Sequence, residues 1–166
     1  MHTITGYTLR PAEPNDVVSI VELITELAVF ENLTHLLQVT PAKLHPQLFG
    51  PRPAVEAWVA DRDSQVVGFA LFFPNFSTFL GQPGLYLEDL YVRPEHRGRG
   101  IGRALLRRLA AVAVQRGYGR FEWSVLDWNV NAIGFYKGMG ATVMPDWRIC
   151  RVTGQALSEL ANGRAD

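Results

Sequence analysis

The spacing of apolar positions changes period several times along the chain. Tyr7-Thr8-Leu9-Arg10 alternates and ends at Pro11, as a short strand does. Val17, Ile20, Val21, Ile24, Leu27 and Ala28 then recur at helical spacing, behind Asn15 and Asp16, which are suited to cap a helix. Phe30 to Thr40 shows no period and reads as a loop. Thr40-Pro41 opens a short helix, with proline where its missing N–H does no harm, and Gly50-Pro51-Arg52-Pro53 stops it. Val55 to Ala60 and Val66 to Pro74 are expected strands, joined by the polar turn Asp61-Arg62-Asp63-Ser64. Asn75 to Gly84, rich in aromatics and turn formers, is expected to be a loop, and Leu85 to Val92 a strand. Leu105, Leu109 and Val112 fall on one face of a helix over Ile101 to Gln115, ended by Gly117. A strand over Phe121 to Leu126 follows, then a helix over Asn129 to Lys137 stopped by Gly138 and Gly140. A strand over Met144 to Val152 and a helix over Thr153 to Leu160 complete the pattern. The polar tail Asn162 to Asp166 is expected to fray.

The order β-α-α-β-β-β-α-β-α-β predicts an α/β fold with helices layered on one twisted sheet. The hairpin in mid-chain makes that sheet mixed. The 166 residues contain no repeat or linker, so residues 1–166 read as a single domain.

Composition removes several function classes. The 16 basic and 16 acidic residues cancel, where a nucleic-acid binder would carry a basic excess. No apolar run is long enough to span a bilayer, and the first six residues lack the features of a signal peptide, so a cytoplasmic protein without a membrane partner is expected. The single cysteine, Cys150, excludes an intrachain disulfide, and its apolar flanks suggest a buried structural thiol. His2, His35, His45 and His96 have no ligand-like spacing, so no metal is expected. His96 adjoins a glycine-rich turn, and a surface role is expected for it.

That turn is the chemical centre of the sequence. The strand ending at Val92 leads through Arg93-Pro94-Glu95-His96 into Arg97-Gly98-Arg99-Gly100-Ile101-Gly102, which opens directly into a helix. Strand, glycine turn and helix start together present free N–H groups and a positive helix end to an anion. A Walker loop is excluded because Gly102-Arg103-Ala104 lacks Gly-Lys-Ser/Thr. A dinucleotide fingerprint is excluded because Arg103 stands where its third glycine belongs.

The remaining pattern, Arg97-x-x-Gly100-x-Gly102, resembles the pyrophosphate loop of the GNAT N-acetyltransferases. A second signature of that family lies downstream, from Asn129-Val130-Asn131-Ala132 to Phe135-Tyr136-Lys137-Gly138-Met139-Gly140-Ala141. Within the family, Leu85-Tyr86-Leu87-Glu88-Asp89, Phe30-Glu31 and Trp128-Asn129 resemble the diamine and thialysine acetyltransferases. The resemblance implies a mostly antiparallel GNAT sheet, acetyl-CoA as cosubstrate, a small primary amine as acceptor, and a homodimer. It places main-chain groups of Leu90, Tyr91 and Val92 along the pantetheine arm. It places Arg97, Gly98, Arg99, Gly100, Ile101, Gly102 and Arg103 around the phosphates, with Asn129 and Ala132 also at the cofactor. Tyr136 is the implied general acid, and Glu88 binds the amine and accepts its proton, with Asp89 as the runner-up. Phe30, Glu31, Asp89, Glu122, Trp123, Ser124 and Asp146 would line the substrate. Phe30 and Val29 stand where the diamine enzymes usually carry tyrosine and lysine. Acetylation of a protein amine and a non-catalytic acyl-CoA-binding role are the alternatives.

Overall fold

The computed structural model describes residues 2–4 and 6–163, so the last three residues of the expected polar tail lie outside it. The chain divides after Ser124 into two compact units. The first holds a six-stranded sheet in the order β1 to β6, formed by His2–Ile4, Tyr7–Pro11, Glu56–Arg62, Gln65–Ser77, Gln82–Val92 and Phe121–Trp123. All neighbours are antiparallel except β5 and β6, which run parallel. That parallel pairing follows from the helical crossover between the two strands.

Helix α1 (Val17–Phe30) and helix α2 (Pro41–Phe49) cover one face of the sheet. Val17, Ile20 and Leu23 of α1 and Leu44 and Leu48 of α2 pack with Val59, Phe69, Leu71 and Tyr91 in one buried cluster. Helix α3 (Ile101–Gln115) packs against β3, β4 and β5 and buries Ile101, Leu105, Leu106, Leu109 and Val112. The expected stripe on α3 is therefore its core face. The second unit contains α4 (Val130–Lys137) and α5 (Gly154–Ala161).

Several expectations are corrected. Asp16 stands at the N-cap position of α1, but its side chain makes no capping bond there, and a 3-10 turn over Pro14–Asp16 precedes the helix. Asp16 is buried and accepts from Arg10 at 2.6 and 2.9 Å and from the Glu13 N–H at 2.7 Å. Asn75 to Gly84 is no open loop. Asn75, Phe76 and Ser77 pair with Gly84, Pro83 and Gln82, so β4 and β5 extend into one long hairpin. Aromatic and polar residues suit such an exposed ribbon as well as they suit a loop, which is why composition misread it. The β3–β4 hairpin is tighter than expected, turning on Asp63 and Ser64 alone, both at positive φ. β6 stops at Trp123, Met144 to Val152 forms no strand, and Cys150 is exposed.

Candidate active site

The middle of β5 breaks its own alternation. Phe72 pairs with Leu87 and Leu71 pairs with Asp89, so Glu88 is an extra residue with no partner on β4. Such a bulge reverses the facing of every side chain beyond it. Leu71 belongs to the cluster under α1 and α2, and Asp89 opposite it shares that face. Phe73, two residues along from Leu71, pairs with Tyr86, and their rings lie 5.2 Å apart. The bulge therefore places Tyr86 and Asp89 on one face, which unbroken alternation would have separated. Leu87 and Asp89, which unbroken alternation would put on one face, are set on opposite faces for the same reason.

Asp89 is the electrostatic focus of this face. Its pKa is pushed up to about 7, first by desolvation and then by the negative charges of Glu88 and Glu31. Glu31 follows the end of α1, its N–H bonded to the Leu27 carbonyl at 2.9 Å. Desolvation also raises the Glu31 pKa. Glu88 itself is exposed. Three carboxylates from two elements thus meet, and the least hydrated of them is Asp89.

The edge of β5 beside Asp89 is open. β6 pairs with Leu85, Tyr86 and Leu87 and then ends, leaving Glu88 to Val92 with no described strand on that side. Just beyond, Gly98 and Gly100 adopt φ of +74° and +82°, a region closed to most residues. A Cβ at Gly98, Gly100 or Gly102 would meet no atom within 4 Å, so the loop borders open space. No acceptor among the described residues takes the N–H of Gly100, Ile101, Gly102 or Arg103. Those are the unsatisfied donors of a helix start, with Arg99 and Arg103 exposed beside them.

Residues 21–141 match the Acetyltransferase (GNAT) family. The chain belongs to the GNAT family. It is 38% identical to the L-ornithine N5-acetyltransferase of Arabidopsis thaliana, over 92% of this chain and 86% of that protein. It is 37% identical to the thialysine N-epsilon-acetyltransferase of Mus musculus, over 92% and 96%. Among solved structures, an integron cassette protein from Vibrio cholerae superposes with a TM-score of 0.78 at 25% identity, covering 94% of this chain and 98% of its own. The protein is accordingly an N-acetyltransferase, and enzymes of this family draw their acetyl group from acetyl-CoA.

Other candidate residues of this GNAT enzyme fall in three settings. On β6, Glu122 accepts from Asn75 at 2.9 Å and lies 2.8 Å from the Arg120 Nε, so its charge is already paired. Ser124 meets the Tyr86 hydroxyl at 2.8 Å, and the Trp123 ring packs 4.9 Å from Phe121. In the second unit, Asn129 caps α4 by accepting from the Ala132 N–H at 3.1 Å, which occupies both residues locally. Tyr136 is half-buried on α4 with its ring 5.4 Å from Phe135, and Asp146 is exposed in an irregular segment. His96, beside the glycine loop, is tied to Tyr7 through a 3.1 Å contact between Nδ1 and the phenol oxygen. Sequence reasoning passed over Tyr86 and Phe73, because a bulge leaves no mark in the hydrophobic pattern. No group of three or more His, Cys, Asp or Glu among the described residues is arranged to hold a metal ion, and no described helix is long and apolar enough to cross a membrane.

Proposed function

We propose that the enzyme moves the acetyl group of acetyl-CoA directly onto a primary amine of a small lysine-like or polyamine substrate, within a ternary complex. The observation that carries this reading is the desolvated Asp89 carboxyl under the negative charges of Glu88 and Glu31, beside a strand edge with no described partner and a loop of free N–H groups. The names of the ornithine and thialysine enzymes support the amine class. The match over residues 21–141 spans the division after Ser124, which supports one functional domain. A homodimer and a cytoplasmic location rest on the resemblance and on sequence composition.

Acetyl-CoA supplies an acetyl group activated as a thioester. The chain's own residues fit that molecule: the amides of Gly100 to Arg103 and the charges of Arg99 and Arg103 suit a pyrophosphate, and the open edge of Leu90 to Val92 suits an arm bound like an added strand. An alkylammonium is protonated at neutral pH, with a pKa of about 10.4. The three carboxylates attract it. Asp89, ionised above about pH 7, is better placed by its desolvation than Glu88 to accept the proton, directly or through water. Glu88 and Glu31 hold the cation. Tyr136 donates a proton to the departing thiolate, a role suited to a phenol. The only cysteine, Cys150, is exposed in an irregular segment, which favours direct transfer over an acetyl-cysteine intermediate.

A thiol-release assay with acetyl-CoA against thialysine, ornithine, lysine, spermidine, putrescine and an N-terminal peptide tests this reading. Turnover on one or more free amines is expected, and turnover on the peptide alone overturns it. Replacing Tyr136 with Phe is expected to lower kcat about 100-fold, within the range of general acid catalysis, while CoA still binds.

A further inference from the structure

His96 closes the short turn that leads from β5 into the glycine loop, and its side chain reaches back across the sheet to β2. Pro94 and Glu95 before it are exposed, whereas His96 is half-buried. Its Nδ1 lies 3.1 Å from the phenol oxygen of Tyr7, and the two rings meet edge to face with centroids 5.8 Å apart. Tyr7 begins β2 and is 3% exposed. β2 stands three strands from β5, so the contact joins residues 89 positions apart in the chain across the end of the sheet.

The loop that follows has few main-chain restraints of its own. The last bonds of the turn run from the His96 N–H to the Arg93 carbonyl at 2.9 Å and from the Arg97 N–H to the Pro94 carbonyl at 3.1 Å. From Gly98 to Arg103 no described acceptor takes a main-chain N–H, and the next bond is that of Ala104 to Gly100. Gly98 and Gly100 add the backbone freedom of glycine. Free amides hold an anion well only when they already converge, because ordering left to the binding step is subtracted from affinity. Ile101, buried at the start of α3, fixes the far end of the loop. The anchor at the near end is the Tyr7–His96 pair.

We propose that Tyr7 is a positioning residue for the cofactor loop: through His96 it holds the entry to Arg97–Gly102 in the shape that receives a pyrophosphate. The proposal rests on the reading that this loop binds acetyl-CoA. Tyr7 acts on the cofactor only through the main chain that follows His96.

The test is a double-mutant cycle in the full chain, with Tyr7→Phe, which keeps the ring and removes the hydroxyl, and His96→Leu. CoA affinity is read by calorimetry, and the order of the Gly98 and Gly100 amides in the free protein by NMR relaxation. Each single change is expected to weaken CoA binding about fivefold, the worth of one hydrogen bond, and to lower the order of both amides. The double change is expected to weaken it no further than either single one, since the first already breaks the pair. The cycle also separates this bond from the one that Arg62 donates to the same oxygen at 3.3 Å. His96→Asn keeps a hydrogen-bonding atom on its Cγ and is expected to restore most of the affinity. In turnover, Tyr7→Phe is expected to raise the KM for acetyl-CoA about fivefold and to leave kcat and the KM for thialysine within about twofold, a split that a general loss of stability would not produce. Unchanged CoA affinity, additive losses in the double variant, or unmoved glycine amides overturn the proposal. Should Tyr7→Phe not fold, His96→Leu set against His96→Asn is decided by the same CoA and amide readouts. Failure of the parent to bind CoA defeats the reading of the loop, whereas the glycine amides of the free protein still decide whether Tyr7 holds it.

Discussion

Two adjacent carboxylates, Glu88 and Asp89, behave as different chemical groups because one is hydrated and the other is not. Desolvation, with the charges of Glu88 and Glu31, pushes the Asp89 pKa up to about 7, so kcat/KM for the amine is expected to rise through that pH as the carboxylate forms. Replacing Glu31 with Gln removes one of the charges that raise it, and the acid limb of the profile is expected to move to lower pH. Asp89→Asn is expected to lower kcat/KM by about 100-fold or more, the usual contribution of a general base. The same substitution carries a stability signature. A carboxyl whose folded pKa lies above its unfolded value stabilises the fold while protonated. That contribution is lost as pH rises from about 4 to about 7, each pH unit in that window being worth about 1.4 kcal/mol. Urea unfolding of Asp89→Asn at pH 8 is therefore expected to show a higher midpoint than the parent, and at pH 4 the two should converge. The sequence brought both carboxylates forward as candidates. Which of them is desolvated depends on α1 delivering Glu31 and on a register that no local pattern reveals.

At the scale of elements, the glycine loop and its helix were legible from residue types alone, because a positive φ and a close anion both demand glycine. Gly100 stands at φ +82° immediately before α3. Gly100→Ala imposes a left-handed conformation costing about 1–2 kcal/mol and puts a methyl group into the open space beside the free amides. Urea unfolding is expected to show stability lowered by that strain, about 1–2 kcal/mol, and calorimetry weaker CoA binding from the added methyl group, with the Asp89 titration unchanged. The β4–β5 hairpin was less legible. Its far half, Asn75 to Gly84, lies between Pro74 and Leu85 and carries Pro83, exposed aromatics and two glycines, a composition shared by loops and two-stranded ribbons. Only pairing across the ribbon distinguishes the two. The bulge at Glu88 was invisible for a related reason: an inserted residue is defined by what stands opposite it.

Across the whole molecule, the sheet is joined to its helices by buried charge as well as apolar contact. Arg10 on β2 holds Asp16 at the entry to α1 through two short hydrogen bonds. Desolvation opposes ionisation of Asp16, but the bonds from Arg10 and the Glu13 N–H outweigh it and leave the pKa lowered. Its contribution is present above the ordinary aspartate range and is lost as pH falls through the lowered value. Asp16→Ala leaves Arg10 facing Asp61 alone and is expected to cost about 3 kcal/mol, read by urea unfolding at pH 7. Asp16 and Asp89 thus act on opposite sides of the pH scale, one favouring the fold above acid pH and the other below neutral. The sequence by itself determined the layered α/β class, the phosphate-binding turn before α3 and the family, because each follows from short-range spacing and from residues with unusual backbone needs. Tertiary structure alone decided that Asp89 shares a face with Tyr86, that Glu122 is already paired, and that the Arg97 guanidinium lies near the Phe30 and Tyr91 rings. Each of those depends on groups distant in sequence meeting at one register of the sheet, and a slip of a single residue there reverses which side a side chain faces.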